Sequence, residues 1–329
     1  MAHTASTLRD GRVLVAGGFT GEESAAQSAE LYDPVAGRFL PLPRMVAVRH
    51  SHTATVLPDG RVLLVGGYGA GNATLASVEL FDPTTRTFTV SGSTLAPRAG
   101  HVAVLLRNGT VLIAGGIGPA WSFLSSAELY DPATGRFSPT SAMTVARESH
   151  VAVRLQDGRV LIAGGHRGRR AEAVLYASAE TYDPSTHRFT PVGDMLVRRH
   201  KHDGVLLRDG RVLITGGSDE RDDEGVYTST ELFDPKSGTF MIGPVMLHGR
   251  YKHNGSTVLL ANGTLLLAGG APQAETFDPT SRTFATVGGE ARMAGQFSAA
   301  AALSGGRVLI TGGYGNGSGP LASAWLFRP

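Results

Sequence analysis

Seven Gly-Gly pairs divide the chain, at Gly17-Gly18, Gly66-Gly67, Gly115-Gly116, Gly164-Gly165, Gly216-Gly217, Gly269-Gly270 and Gly312-Gly313, with spacings of 49, 49, 49, 52, 53 and 43 residues. One module of about fifty residues has been copied seven times, which confines the chain to the repeat architectures. A residue that recurs in every copy is needed to build the module, whatever the protein does. Individual function has to reside where the copies differ.

Such an array can run to 329 residues as one domain. The copies divide it at residues 1–43, 44–92, 93–141, 142–193, 194–244, 245–288 and 289–329. Charge is nearly balanced, with 30 basic and 28 acidic side chains, which argues against a nucleic-acid partner. With no cysteine, disulfides, thiolate metal sites and cysteine nucleophiles are excluded. No apolar run approaches the roughly 18 residues of a membrane helix, and the first residues lack a signal-peptide pattern. A soluble chain without a membrane partner is expected.

The second copy shows the logic of the module. His52-Thr53-Ala54-Thr55-Val56-Leu57 is short, apolar and β-branched, and Pro58-Asp59-Gly60 turns it back on itself. Arg61-Val62-Leu63-Leu64-Val65 is a continuous apolar run, as in a strand covered on both faces. It stops at Gly66-Gly67, where absent side chains permit close backbone approach. Ser77-Val78-Glu79-Leu80-Phe81 alternates and ends at the turn opener Asp82-Pro83, and Thr87-Phe88-Thr89-Val90 supplies a fourth strand. Four antiparallel strands at this period describe a blade, and seven of them an all-β, seven-bladed β-propeller.

Hairpin, apolar strand, double glycine, a Glu-Leu-Tyr-Asp-Pro type strand, an aromatic after the next turn and then Arg-x-x-His: this order resembles the Kelch repeat in its bacterial form. The resemblance covers essentially the whole chain. It departs in the fourth strand, where phenylalanine (Phe39, Phe88, Phe137, Phe189, Phe240, Phe284) replaces the family's usual tryptophan. Copper radical oxidases of the galactose oxidase type share the architecture, but their tyrosine–cysteine crosslink requires a cysteine that this chain lacks. No cofactor and no metal are expected. The seventh copy stops at its third strand, so its blade is expected to lack the fourth. A segment of roughly ten to fifteen residues ahead of Met1 would complete it, and a secretory signal placing the protein outside the cell or in the periplasm would be lost with it. The expected state is a monomer, or an oligomer paired through the open edge.

The resemblance places the loops from fourth to first strand, and from second to third, on the face where such propellers act. The recurring Arg49/His52, Arg98/His101, Arg147/His150 and Arg199/His202 read as hinge residues, and the recurring Glu30, Glu79, Glu128, Glu180, Glu231 and Glu275 as buried, paired scaffold carboxylates. The copies differ in their loops. A basic loop runs from His166 to Arg170 and an acidic one from Asp219 to Glu224, the latter read as solvated; Trp121 and Phe123 stand in the third blade's loop. The fifth and sixth copies carry Arg199-His200-Lys201-His202 and Arg250-Tyr251-Lys252-His253, and the sixth runs two residues longer before its turn. With Arg98 and Glu148 these define a candidate ligand rim of Arg98, Glu148, Arg199, His200, Lys201, Arg250, Tyr251, Lys252 and His253. Cationic donors at a cavity mouth suit a carboxylate, sulfate or phosphate. The expected function is a binding module for a protein or an anionic carbohydrate. The alternative is a lyase, epimerase or mutarotase acting on a carboxylated sugar, with His200, Tyr251 or His253 moving the proton.

Overall fold

A computed structural model describes residues 2–20, 25–169, 172–288, 295–314 and 319–329. The chain forms seven blades, as the copies require, and separates into two compact units, residues 1–148 with blades one to three and residues 149–329 with blades four to seven. Six blades are four-stranded antiparallel sheets with strands in chain order, and the seventh has three strands among the described residues. In the second blade the strands are Thr53–Val56, Val62–Val65, Ser77–Asp82 and Thr87–Ser93, close to those read from the sequence. The seventh comprises Ala299–Ala302, Val308–Thr311 and Ala324–Phe327. A two-stranded ribbon, His166–Arg167 with Val174–Leu175, is added to the loop of the fourth blade.

The continuous apolar second strands explain where the core lies. Val62–Val65 and Val111–Ala114 are buried along their whole length, so each must be covered on both faces. Within each unit the first strands of successive blades lie side by side, and the apolar clusters fill the space between blades. One cluster joins Leu14 and Leu31 to Val62, Leu64 and Phe81, and another joins Leu63, Val65 and Leu80 to Val111, Ile113 and Tyr130. Each fourth-strand phenylalanine stacks on the aromatic directly opposite it in the third strand. Phe81 and Phe88 are 4.9 Å apart and Phe277 and Phe284 4.7 Å, a cross-strand pair that needs no larger ring.

The recurring residues join the blades. In the first, second, fourth and fifth pairs the first glycine has positive φ and lies against the carbonyl of the next blade's arginine, whereas Gly269 faces the carbonyl of Gly295. A Cβ on Gly66 would fall 2.4 Å from Arg98 O, and one on Gly216 2.5 Å from Arg250 O. The second glycine's N–H donates to that same carbonyl, Gly67 to Arg98 and Gly217 to Arg250, at 2.9 and 2.8 Å. The arginine side chain then runs into its own blade. Arg98 is fully buried, donates to Gly115 O at 2.8 Å, and meets Glu128 Oε1 at 2.5 Å. Glu128 accepts in turn from the N–H groups of Leu95 and Ala96. Arg49–Glu79, Arg199–Glu231 and Arg250–Glu275 repeat the arrangement at 2.6, 2.8 and 3.2 Å. The first copy lacks the arginine, and its Glu30 is exposed.

The two extra residues of the sixth copy leave its strands and hairpin regular. They instead form a turn ahead of the strand, where Gly255 has φ 72° and Ser256 N–H closes on His253 O at 3.0 Å. This turn covers Asp203, whose buried carboxylate accepts from the N–H of Thr257 at 3.0 Å.

Removing one partner of a buried ion pair strands the other charge, at a cost of about 3–5 kcal/mol. Glu128→Ala is therefore expected to lower the free energy of unfolding by that amount in urea titrations, whereas Glu30→Ala should change it by no more than about 0.5 kcal/mol. Equal effects at the two positions would contradict the assigned role.

Candidate functional site

In four of the blades the residue after the hinge position pairs with the residue after the double glycine. The bridges His50–Tyr68 and Ala99–Ile117 lie in the first unit, and His200–Ser218 and Gln296–Tyr314 in the second. The next residue along has positive φ in each blade: Ser51 at 52° and Gly100 at 60°, then Ser149, Lys201 and Lys252 at 54° and Phe297 at 57°. The left-handed turn lets its N–H reach the matching carbonyl of the preceding blade. In the second unit Lys201 donates to Ser149 and Lys252 to Lys201 at 3.0 Å, and Phe297 donates to Lys252 at 2.6 Å. Non-glycine residues seldom adopt this conformation, and here the linkage between blades holds it. The backbone is fixed by the fold, while the side chains at these positions are free to vary.

In the second unit those side chains form one polar cluster. Lys201 Nζ donates to Asp222 at 2.9 and 3.2 Å and to the Tyr251 hydroxyl at 3.0 Å. Lys252 Nζ donates to the Tyr314 hydroxyl at 3.1 Å and to Gln296 Oε1 at 3.3 Å, and lies 4.6 Å from the centre of the Tyr251 ring. His200 Nε2 is 3.1 Å from Asp222 Oδ1, and His200 Nδ1 is 3.2 Å from His166 Nδ1.

These contacts set the protonation states. Burial, with His200 next to it, pushes His166 down to about 3, and burial also lowers His200. Both rings are neutral near pH 7, so one Nδ1 must donate to the other. The Asp222 carboxylate 3.1 Å from His200 Nε2 favours the tautomer with the proton on Nε2, which would leave His200 Nδ1 to accept from His166 Nδ1–H. Burial alone would raise Asp222, but His200, the Tyr251 hydroxyl and Lys201 override it and hold the carboxyl well below its ordinary range. Burial, then Asp222, keeps Tyr251 protonated far above the usual tyrosine range, and burial lowers Lys252.

Of the residues expected on the rim, His200, Lys201, Tyr251 and Lys252 do come together, His200 and Tyr251 as buried side chains and the two lysines half-buried. Arg98, Arg199 and Arg250 do not line it: each is fully buried and committed to its glutamate and strand carbonyls. His253 also lies inside, fully buried, 3.0 Å from Thr215 Oγ1, and pushed by burial to about 3. In both cases the reason is recurrence, since a residue shared by the copies serves the joint between blades. Glu148 belongs to the first unit, half-buried over Gly100, where a Cβ would come within 2.6 Å of its carboxylate. Phe123 bridges to Ile117 in the first unit, and Arg170 lies outside the described residues. Sequence reasoning missed Asp222, His166, Gln296 and Tyr314 as members of the cluster. His166 and Tyr314 stand directly after a double glycine, so the variable residue following each constant pair was the available signal.

A family model for the Kelch motif matches residues 49–93, 97–144 and 149–196. The chain carries Kelch motifs. The three matches span the second, third and fourth copies, and the cluster's residues, His166 apart, lie beyond them. No curated protein matches the chain. Among solved structures, a fungal alcohol oxidase of the AA5 family, in complex with copper, is similar at a TM-score of 0.68 and 20% identity, over 94% of this chain and 69% of that one. The likeness is one of fold. Among the described residues, no three histidine, aspartate or glutamate side chains converge in a metal-holding group.

The interior histidines carry a pH dependence. His101 and His253 sit near 3 when folded, against an ordinary 6.5. The unfolded chain binds more protons between those values, so stability is full above about pH 6.5 and falls as the pH drops toward 3. Unfolding at pH 7 and pH 5 should show the loss, and His101→Gln should shrink it by about 2 kcal/mol. An unchanged difference would contradict a neutral His101.

Proposed function

We propose that this Kelch propeller is a binding module that takes a carboxylate-bearing ligand, an acidic glycan or an acidic stretch of a protein, at the Lys201–Tyr251–Lys252 cluster. The observation that carries the reading is Asp222. Its carboxylate, presented by the acidic loop 219–224, accepts from Lys201 Nζ at 2.9 Å and stands 3.1 Å from His200 Nε2, and with the Tyr251 hydroxyl these groups hold it ionised. Charge-assisted donors of this kind are the strong, directional ones. A group of donors that lowers the proton affinity of its own aspartate so far favours any carboxylate delivered to the same place. Lys252, Gln296 and Tyr314 extend the donor set beyond the reach of Asp222. Asp222 stands on an exposed 3-10 turn with its side chain 46% accessible, so an incoming anion competes with a group that can leave.

The enzymatic alternative has less support. Tyr251 is held protonated and serves as a donor, His253 is sealed in the interior, and His200 alone is left to move a proton.

Calorimetric titration of the full chain with digalacturonate and, separately, with a glutamate-rich peptide tests the reading and chooses between the two sources of carboxylate. Binding should weaken about tenfold, or about 1.4 kcal/mol, in Lys201→Met and Lys252→Met, and should tighten in Asp222→Ala, where the internal competitor is gone. Binding that ignores all three substitutions, or no binding of either ligand to Asp222→Ala, would defeat the proposal.

A further inference from the structure

The first unit carries a cavity whose chemistry differs from that of the charged cluster, between the loops that follow Gly67 and Gly116. The two loops share one backbone design. Each makes a single 3-10 turn, Ala70–Asn72 in one and Pro119–Trp121 in the other. The turns are closed by Gly69 N–H on Ala73 O at 2.8 Å and Gly118 N–H on Ser122 O at 2.7 Å. Both place two consecutive residues in the left-handed region: Gly71 and Asn72 at 61° and 57°, Ala120 and Trp121 at 52° and 59°. Glycine and asparagine are the residues that tolerate this conformation. Alanine followed by tryptophan is not, and a bulky residue there is a genuine outlier. Strain of this sort is characteristic of positions retained for function.

What the strain achieves is presentation of an indole. Trp121 is 43% exposed, with its ring centre 6.0 Å from that of Tyr68, which is nearly buried. Tyr68 continues a row of rings through His50 to Phe19, each step 5.2 Å between centres. The cavity between the loops is ≈ 350 Å³, within the usual range for small-ligand sites. Trp121, Tyr68 and Pro119 give it apolar surface, while Asn72 and Thr74 give it polar edges; no charged side chain lines it. Burial lowers the nearby His50, whose Nε2 is 3.4 Å from Asn72 Oδ1, so this ring too is neutral near pH 7.

We propose that this groove is a binding site for a neutral pyranose, its C–H face stacked on Trp121 and its hydroxyl edge meeting Asn72 and Thr74. A flat aromatic face with hydroxyl and amide groups to its side matches a sugar ring, which is apolar on its faces and polar around its rim. The uncharged lining selects against uronates and charged peptides, whose charge would be desolvated without a partner. The site is independent of the carboxylate cluster, since it uses none of that cluster's residues.

The test is fluorescence titration of the full chain in a Trp325→Phe background, which leaves Trp121 as the only indole. The probes are methyl glucoside, methyl mannoside and methyl galactoside, with their β-linked disaccharides and digalacturonate as the charged control. At least one neutral sugar should give saturable quenching that Asn72→Ala weakens several-fold, and calorimetric titration of the same sugar should show its heat of binding lost in Trp121→Ala. Trp121→Gly should also abolish it while leaving Tm unchanged or higher, because glycine relieves the left-handed strain; this separates loss of the platform from loss of the fold. Lys201→Met should leave the quenching intact, so this proposal and the carboxylate reading fail separately. No saturable response to any neutral sugar, a response confined to digalacturonate, or binding that survives both Trp121 substitutions would overturn it.

Discussion

One carbonyl per blade holds each unit together. The hinge arginine offers its C=O to the preceding blade, where a glycine without a Cβ can approach it and the next glycine's N–H can bond to it. The same arginine sends its guanidinium into its own blade and balances its buried charge on a glutamate. That glutamate fixes the two N–H groups of the loop leading to the arginine, so the circuit closes on itself. Glycine pair, arginine and glutamate are thus one device, and none can change alone without leaving a clash or an unpaired buried charge.

With the backbone so secured, residues beside the device are released from structural duty. The left-handed position after each hinge holds serine, glycine, lysine or phenylalanine without altering the blade-to-blade hydrogen bond. Two of those positions, Lys201 and Lys252, place ammonium groups against Tyr251 and Tyr314, and the acidic loop supplies a carboxylate to the first of them. In the first unit the equivalent loops turn toward aromatic rings instead, with Trp121 standing where the preceding copy has Asn72. One frame therefore carries a charged cluster in one unit and an uncharged groove in the other.

Much of this was legible in the sequence because copying makes structure visible. The double glycines gave the number of blades, and the recurrence of glutamate in the third strand marked it as a paired carboxylate before any partner was known. The same logic, applied more strictly, would have moved Arg98, Arg199, Arg250 and His253 off the rim, since each recurs in register with a residue already assigned to the hinge. Asp222 was not legible. A run of acidic residues reads as a solvated loop, and only the turn at 222–224 brings one carboxylate back to Lys201. Nor was the strain at Ala120 and Trp121 visible, because it depends on a turn whose sequence in the second copy, with Gly71 and Asn72, is unremarkable.

The central claim is that shared residues build the frame and that the unshared Lys201, Tyr251 and Lys252 hold a carboxylate for which Asp222 substitutes. A crystal structure of the chain soaked with digalacturonate tests it most directly. The account requires a uronate carboxylate seated between Lys201 and the Tyr251 hydroxyl, with Asp222 swung out and every arginine–glutamate pair unmoved. A ligand bound elsewhere with Asp222 still in place, or one that draws Arg199 or Arg250 away from its glutamate, would contradict it.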